Sequence, residues 1–462
     1  LDAQNFTSAT NTYNTAVGYA AGSGVTTGQN NTFIGGEAGL ANTTGGNNIA
    51  IGKNSLDANT SANSNVAIGN SALGANTTSQ YNIAIGDSCL QTQTTGIRNT
   101  AIGTFSMATN VTGAYNTALG YATLNLATGD ENTAIGYEAL LDNTTAEENT
   151  AVGYRALTNN TTAGANTAVG CKALETNTTG TGNAAFGRQA LKANTTANFN
   201  TAVGAEALDT VTTGTRNTGV GYAVMDAVTT GSYNVAMGAF AGDAITTGEE
   251  NTAIGDAALS ANTTASNNTA IGTQALKVST TGANNTAIGR QAGFDVTTGG
   301  FNTFCGQDSR RNVTTGDRNI CVGDRAGTNI TTGADNIMIG ANNETSAADV
   351  NTSIVMGFEV TGVGADNFTF GKSSTDSNIA FGATSITAPS DVRLKEDIQD
   401  EEVGLDFIND LRPVTFQWKK EKDIPTDMKA YKEGSEERTM NGKYNHGFIA
   451  QEVKEVIDNH NL

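Results

Sequence analysis

The chain has 462 residues and a net charge of −20, with 45 acidic and 25 basic side chains. This balance argues against a surface for nucleic acid or anionic membrane, because phosphate binding needs clustered Lys and Arg. No apolar run approaches the ~18 residues of a membrane-spanning helix, so we expect no membrane insertion. Of the 55 glycines only four follow residue 389, and all three prolines lie at or after it. Two kinds of structure are therefore predicted to meet near Pro389.

A phrase of the type Asn-Thr-Ala-Ile-Gly recurs with a 17-residue period from Gly18 to Gly357, apart from one 16-residue step between Gly120 and Gly136. A unit this small cannot bury an apolar face alone, so its 21 copies predict rungs that stack on one another. Rungs spaced like neighbouring strands, ~4.8 Å apart, give a rod on the order of 100 Å long. We predict an all-β fold, a parallel β-solenoid or β-roll of about 21 rungs, over residues 1–357.

Each rung alternates bulky and small residues. The residue before the glycine is bulky and apolar, as in Val152, whereas alanine dominates one place earlier, as in Ala151. This alternation is typical of a β-strand, and we expect the bulky face inside and the alanine face outside. A second phrase, as in Ala139-Leu140, is expected to complete the core, and Asn-Thr-Thr with glycine to turn the chain. A thin roll with an alanine column outside needs apolar partners, which favours a parallel homotrimer.

An asparagine stands four residues before the glycine in the first 20 rungs. Stacked one per rung, identical Asn amides can hydrogen-bond along the rod and satisfy buried turn backbone. We therefore interpret this column as a structural ladder. Its members include Asn132, Asn149, Asn166 and Asn251.

These rungs, over residues 11–360, resemble the left-handed parallel β-roll heads of trimeric autotransporter adhesins, which carry a similar Asn-x-Val/Ala-Ile-Gly motif. The 17-residue rung of this chain is longer than theirs. The resemblance implies a homotrimer of parallel rolls.

The period falters after Gly357. The next glycine phrases end at Gly371 and Gly382, after steps of 14 and 11 residues, and phenylalanines replace the alanines. We interpret residues 358–389 as a capping or transition segment.

The tail, residues 390–462, is predicted to be a small α+β unit, with helical spacing around Ile408 and strand-like alternation around Phe416. It contains, in order, the phrases Ser-Asp-Val-Arg-Leu-Lys, Gly-Leu-Asp-Phe-Ile-Asn-Asp-Leu-Arg-Pro, Phe-Gln-Trp-Lys and Gly-Phe-Ile-Ala-Gln-Glu-Val. These phrases closely resemble the C-terminal intramolecular chaperone of phage tailspikes, tail fibres and endosialidases, which is also found in myelin regulatory factor. The resemblance implies a domain that trimerises, aligns the chains for folding and then releases itself by cutting before the serine of its Ser-Asp phrase.

Carried over to matching positions, the nucleophile is Ser390, the general base is Lys395, and Asp391 also belongs to the motif. The scissile bond joins Pro389 to Ser390. A lysine can take the serine proton only if burial or nearby cations lower its pKa, and trimer assembly is expected to supply that burial. In the alternative interpretation, Ser390 and Asp391 cap a helix and Lys395 is solvated. The resemblance also implies a further stretch beyond Leu462, so the domain is expected to be incomplete here.

The favoured function is the structural and adhesive shaft of a phage tail fibre, located in the virion tail or outside the cell, with a single-turnover serine autoprotease and no external substrate. Its expected partners are further copies of the chain, a host cell-surface receptor of glycan or protein, and other virion tail proteins. Isolated or oppositely facing cysteines predict neither a disulfide nor a metal site, and no cofactor is expected.

Three alternatives stay open. A bacterial surface adhesin explains the rod equally well but not the tail. A polysaccharide depolymerase needs a carboxylate cluster, whereas acidic pairs such as Glu147-Glu148 recur at one turn position, which suits a solvated edge. An ice-binding face is disfavoured because adjacent threonines face opposite sides of a strand.

Overall fold

The computed structural model describes residues 12–309, 314–373, 376–383, 404–439 and 442–460. It divides the chain into two compact units, Leu1–Ala388 and Pro389–Leu462. Among the described helices, none has the length and apolar character needed to cross a bilayer.

The first unit is a parallel β-solenoid of about 21 turns, which confirms the predicted fold class. Each turn contributes one short strand that pairs in parallel with the strand of the next turn, so that Ala151 lies opposite Ala168. The pairing keeps its register across the single 16-residue step, where Ala118 lies opposite Ala134. Strands β1 to β20 are Thr15–Val17, Thr32–Ile34, Ile49–Ile51, Val66–Ile68, Ile83–Ile85, Thr100–Ile102, Thr117–Leu119, Thr133–Ile135, Thr150–Val152, Thr167–Val169, Ala184–Phe186, Thr201–Val203, Thr218–Val220, Val235–Met237, Thr252–Ile254, Thr269–Ile271, Thr286–Ile288, Thr303–Cys305, Ile320–Val322 and Ile337–Ile339.

Each turn contributes one large apolar side chain to the core and, in most turns, two alanines. The middle residue of the strand points inward, and Ala151 is fully buried, as is Leu157 of the Ala-Leu phrase. The bulky residue before the glycine, Val152, is only partly buried, on the outer face of the strand. The predicted orientation of the two strand faces is therefore wrong. So short a turn encloses too little space for two bulky columns, and strand alternation places one of them outside.

The volume of the interior is conserved where the alanine is replaced. Phe33 is fully buried in place of alanine, and a Cβ added at Gly39, which stands where most turns carry leucine, would lie 2.5 Å from its ring. Farther along, a Cβ added at Gly293 would likewise lie 2.5 Å from the ring of Phe304, which belongs to the next turn. A bulky residue in one column is thus offset by a missing side chain in the other, as close packing requires.

The glycine that follows each strand allows the turns to stack closely. Gly35 has a φ of +139°, a conformation that side chains rarely adopt, and a Cβ there would lie 2.4 Å from the carbonyl oxygen of Gly52. Because Gly52 is the same position one turn later, the glycine period marks a column where backbone lies on backbone.

The described solenoid ends in longer strands with a change of direction. Strand β21, Ile354–Phe358, pairs in parallel with β22, Asn367–Lys372. Strand β22 then pairs in antiparallel fashion with β23, Ser377–Ala380. The reversed strand thus covers the edge of β22 that faces away from β21.

The second unit contains two helices and a small antiparallel sheet. Helix α1 spans Leu405–Asp410 and helix α2 spans Ala450–Asn459. Strands β24, Val414–Phe416, and β25, Asn445–Gly447, pair with each other, and a 3-10 helix covers Glu421–Asp423. The predicted helix around Ile408 and strand around Phe416 are both present.

Candidate functional site: assembly surfaces

The outer face of the strand column carries an apolar stripe. We define the outer stripe as the third residue of strands β1 to β20 and Met356 in β21, each directly before a glycine. All of these residues are apolar. Their exposed fractions include 58% for Val17, 50% for Met237 and 38% for Ile339. The stripe therefore runs the length of the described solenoid without a polar interruption.

A stripe of this size is unusual for the surface of a single chain. Twenty-one partly exposed apolar side chains present an area on the order of 1,000 Å², compared with a few hundred Å² in the largest patch of most monomers. It also approaches the roughly 800 Å² that each partner contributes to a standard protein interface. The stripe thus has the composition and size of a docking surface. The alternation in the sequence already showed this column of bulky apolar residues, but we expected it on the inner face of the strand.

Inside the solenoid, the asparagine column forms continuous hydrogen bonds. The backbone N–H of Asn149 donates to Oδ1 of Asn132 over 3.0 Å, and its Nδ2 donates to the carbonyl of Ala163 over 3.0 Å. The backbone N–H of Asn166 donates to Asn149 in turn over 3.0 Å, and Asn251 repeats the pattern. All of these amides are buried, so each one satisfies turn backbone that water cannot reach.

A second asparagine column was missed in the sequence. It is the asparagine of the Asn-Thr-Thr phrase, three residues after the core leucine. The Nδ2 of Asn177 donates to Oδ1 of Asn160 over 2.9 Å, and Asn194 donates to Asn177 over 2.9 Å. Aligning the turns on their glycines would have shown this column, since these positions recur with the same period as the glycines.

The acidic pair Asp130-Glu131 has a structural role in its turn. Oδ1 of Asp130 accepts a hydrogen bond of 2.8 Å from the backbone N–H of Ala114 in the preceding turn. Asp317 does the same for Gly300 over 2.7 Å. These carboxylates bind neighbouring backbone, as Asn and Ser do at the same position elsewhere.

The second unit has no buried residue among those described, 404–439 and 442–460. Its apolar side chains stay in contact with water, and Leu405 in helix α1 is 77% exposed. An apolar groove of about 680 Å³ is lined in part by Trp418, Ile424, Pro425 and Met428. Because the described residues of this unit bury no core among themselves, the unit would gain stability by packing against another surface.

Ion pairs hold parts of this unit together. Nε of Arg412 donates to Oε2 of Glu452 over 3.0 Å, and this contact lowers the pKa of the Glu452 carboxyl. Arg412 and Glu452 belong to two different phrases of the tail. His460 lies 2.9 Å from Oδ2 of Asp410, and its ring packs edge-on against Phe407.

Pro389, Ser390, Asp391 and Lys395 lie outside the described residues, and their roles stay predictions. Within the described ranges, no group of three or more His, Cys, Asp or Glu side chains is arranged to hold a metal ion.

The cysteines of the solenoid are all free thiols. Cys305 is exposed and Cys321 is buried, although their strands are neighbours. Burial raises the pKa of the Cys89 thiol to about 12, so this side chain stays protonated and packs as a small apolar group.

The fold and these surfaces define a parallel β-solenoid shaft followed by a separate α+β unit. Residues 390–462 match the family model described as the chaperone of endosialidase. No curated protein matches the chain, and no solved structure does. The match spans the tail with its four phrases and supports a protein of the tail-fibre or tailspike type with an intramolecular chaperone.

Proposed function

We propose that this chain is the structural and adhesive shaft of a phage tail fibre, that three copies assemble in parallel through the outer stripe, and that residues 390–462 direct this assembly. The observation that carries the proposal is the outer stripe, which stays exposed along the whole described solenoid of a single chain. Covering it removes on the order of 1,000 Å² of apolar surface per chain from water.

A parallel, symmetric assembly suits the shape of the stripe. The stripe follows the axis of the rod, so copies related by rotation about a parallel axis bring identical stripes together at the centre. In such a closed symmetric assembly, the outer stripe of every copy is covered. The number three comes from the resemblance of the tail to trimeric chaperones and of the rungs to trimeric adhesin heads.

The repeats explain why such an assembly needs a separate aligning unit. Chains shifted by one whole turn place nearly the same side chains against each other. The shifted assembly loses the contacts of one turn in 21, so the stripe itself discriminates poorly between registers. Non-repetitive residues at one end can set the register before the turns stack. The exposed apolar surface of the second unit offers contacts for that purpose.

The candidate nucleophile lies directly after the scissile bond, and this position allows the aligning unit to release itself. The Ser390 hydroxyl attacks the carbonyl carbon of Pro389, and Lys395 accepts its proton and passes it to the departing amine of Ser390. The chain is then held by an ester between Pro389 and the Ser390 oxygen. Water hydrolyses this ester, which leaves a carboxylate on Pro389 and restores the serine hydroxyl.

The test is the intact mass of the chain after it has assembled. We expect a fragment that ends at Pro389 and assembles as three copies. Ser390→Ala should stay uncut and still assemble, because it lacks only the nucleophile. Ser435→Ala is the matched control in the same unit and should be cut normally.

Two results would contradict the proposed cleavage. If Ser390→Ala is cut as efficiently as the native chain, an external protease is responsible. If the native chain stays intact after three copies have assembled, the C-terminal unit is a permanent cap.

A further inference from the structure

An arginine on the outside of the solenoid is held between two aromatic rings. The guanidinium carbon of Arg98 lies 5.6 Å from the ring centre of Tyr81 and 5.5 Å from that of Tyr115, one turn to either side. Its Nη1 donates to the Tyr115 hydroxyl over 2.8 Å. All three side chains are exposed. Ring faces on both sides therefore fix the cation in one orientation at the surface.

The same arrangement occurs again seven turns farther along. The guanidinium carbon of Arg216 lies 5.6 Å from the ring centre of Phe199 and 5.4 Å from that of Tyr233. Its Nη1 donates to the Tyr233 hydroxyl over 2.9 Å. At ~4.8 Å per turn the two arginines are about 34 Å apart along the rod.

In both columns the guanidinium lies between two aromatic rings. Nη1 donates to the tyrosine hydroxyl, so the Nε and Nη2 edge is left to bind a ligand. A third arginine at this position shows what that edge binds. Nε of Arg318 donates to Oδ1 of Asp335 over 2.6 Å, and Nη2 donates to Oδ2 over 2.9 Å. Asp335 replaces the tyrosine of the other columns, and Arg318 lowers the pKa of its carboxyl. The chain itself thus displays a carboxylate seated on this edge in bidentate geometry.

The other two arginines lack such a partner. Within the described part of the solenoid, Arg98 and Arg216 are the only arginines without an ion pair to a carboxylate. The paired ones are Arg155, Arg188, Arg290, Arg318 and Arg325. In a chain with a net charge of −20, an oriented and unpaired cation is an unusual surface feature.

We propose that Arg98 and Arg216 are two binding sites for carboxylate groups of an acidic polysaccharide. The Nε and Nη2 edge takes the carboxylate, as Arg318 takes Asp335. The flanking aromatic rings, about half exposed, offer apolar edges and tyrosine hydroxyls to the sugar. Two sites on one rod bind one polymer more tightly than either site alone. This inference rests on the proposed adhesive function and names the chemical class of the receptor.

The test uses the full chain and two polymers. Polygalacturonate supplies regularly spaced carboxylates, and its methyl ester is the matched neutral polymer. We expect the native chain to bind polygalacturonate with an affinity that falls as salt is raised, and not to bind the ester. Arg98→Gln combined with Arg216→Gln should weaken binding roughly tenfold or more, because two charge-assisted contacts are lost.

Arg318→Gln is the matched control, since its edge is already filled within the chain, and it should bind as the native protein does. The inference is wrong if the native chain does not bind polygalacturonate, if the ester binds equally well, or if the control loses as much affinity as the double variant. A double variant that no longer forms three copies would show that these columns join subunits instead. A native chain that sediments as a single copy, yet binds through both arginines, would refute the proposed assembly and not this site.

Discussion

A methyl group placed on the glycine column should open the stack of turns. In Gly35→Ala the new Cβ lies 2.4 Å from the carbonyl oxygen of Gly52, and the backbone must hold a φ of +139°. Such a backbone conformation costs roughly 1–3 kcal/mol in a residue other than glycine, and the overlap with fixed backbone raises the total to roughly 3–5 kcal/mol. Because each turn contacts only its neighbours, the loss should concentrate in the first few turns.

Hydrogen exchange, followed by mass spectrometry turn by turn, measures this effect. The amides of β1 to β3 should exchange faster in Gly35→Ala, whereas those of the central turns should not change. Gly36→Ala is the matched control, since a Cβ there meets nothing within 4 Å, and it should stay within about 0.5 kcal/mol of the native chain. Equal protection in Gly35→Ala and the native chain would refute the account of close backbone stacking.

Two further perturbations test the interior and the surface of the solenoid. Asn149→Ala removes buried hydrogen bonds of the side-chain amide to both neighbouring turns and should lower the free energy of unfolding by roughly 2–4 kcal/mol. The control Asn70→Ala changes an exposed residue and should alter the free energy of unfolding by less than about 0.5 kcal/mol. Thermal unfolding of the two variants distinguishes these outcomes. Burial is the main cause that raises the pKa of the Asp226 carboxyl, and the negative charge of Asp209 in the neighbouring turn raises it further. The folded chain thus holds this proton more tightly than the unfolded chain, so the free energy of unfolding should fall as pH rises from about 4 through the raised value. Asp226→Asn should flatten that fall and raise the melting temperature at pH 7, and a steeper fall in the variant would contradict the sign.

The repeat predicted the solenoid because its glycines mark the one position where no side chain fits. The same alternation did not reveal which face is inside. Val152 is more apolar than Ala151, so hydrophobicity alone favours Val152 in the core. The structure reverses this because Leu157 already fills the small interior, and the replacement of leucine by Gly39 beside Phe33 shows the same limit of space. The space inside the solenoid depends on how each whole turn closes. The alternation of three strand residues does not show how large that space is.

The columns of arginine and aromatic residues on the surface were not predicted from the sequence, for a different reason. Arg98 and Tyr115 are separated by one whole repeat and become neighbours only when adjacent turns stack in register, so local spacing did not predict their contact. In the tail, by contrast, helix α1 and strand β24 follow local patterns that were readable. The groove beside Trp418 was not predicted, because its lining comes from separate parts of the unit and depends on how the chain folds back.

The central claim, that the outer stripe is covered by other copies of the chain, is tested most directly by sedimentation equilibrium of the full chain. The account predicts a particle of three times the chain mass of 47.3 kDa, or three cleaved shafts if the C-terminal unit has been released. It further predicts that Val152→Asp, Val169→Asp and Val203→Asp combined in one chain, which place three charges in the stripe, shift the mass toward a single copy. A native chain that sediments at the mass of one copy over the whole concentration range would contradict the account.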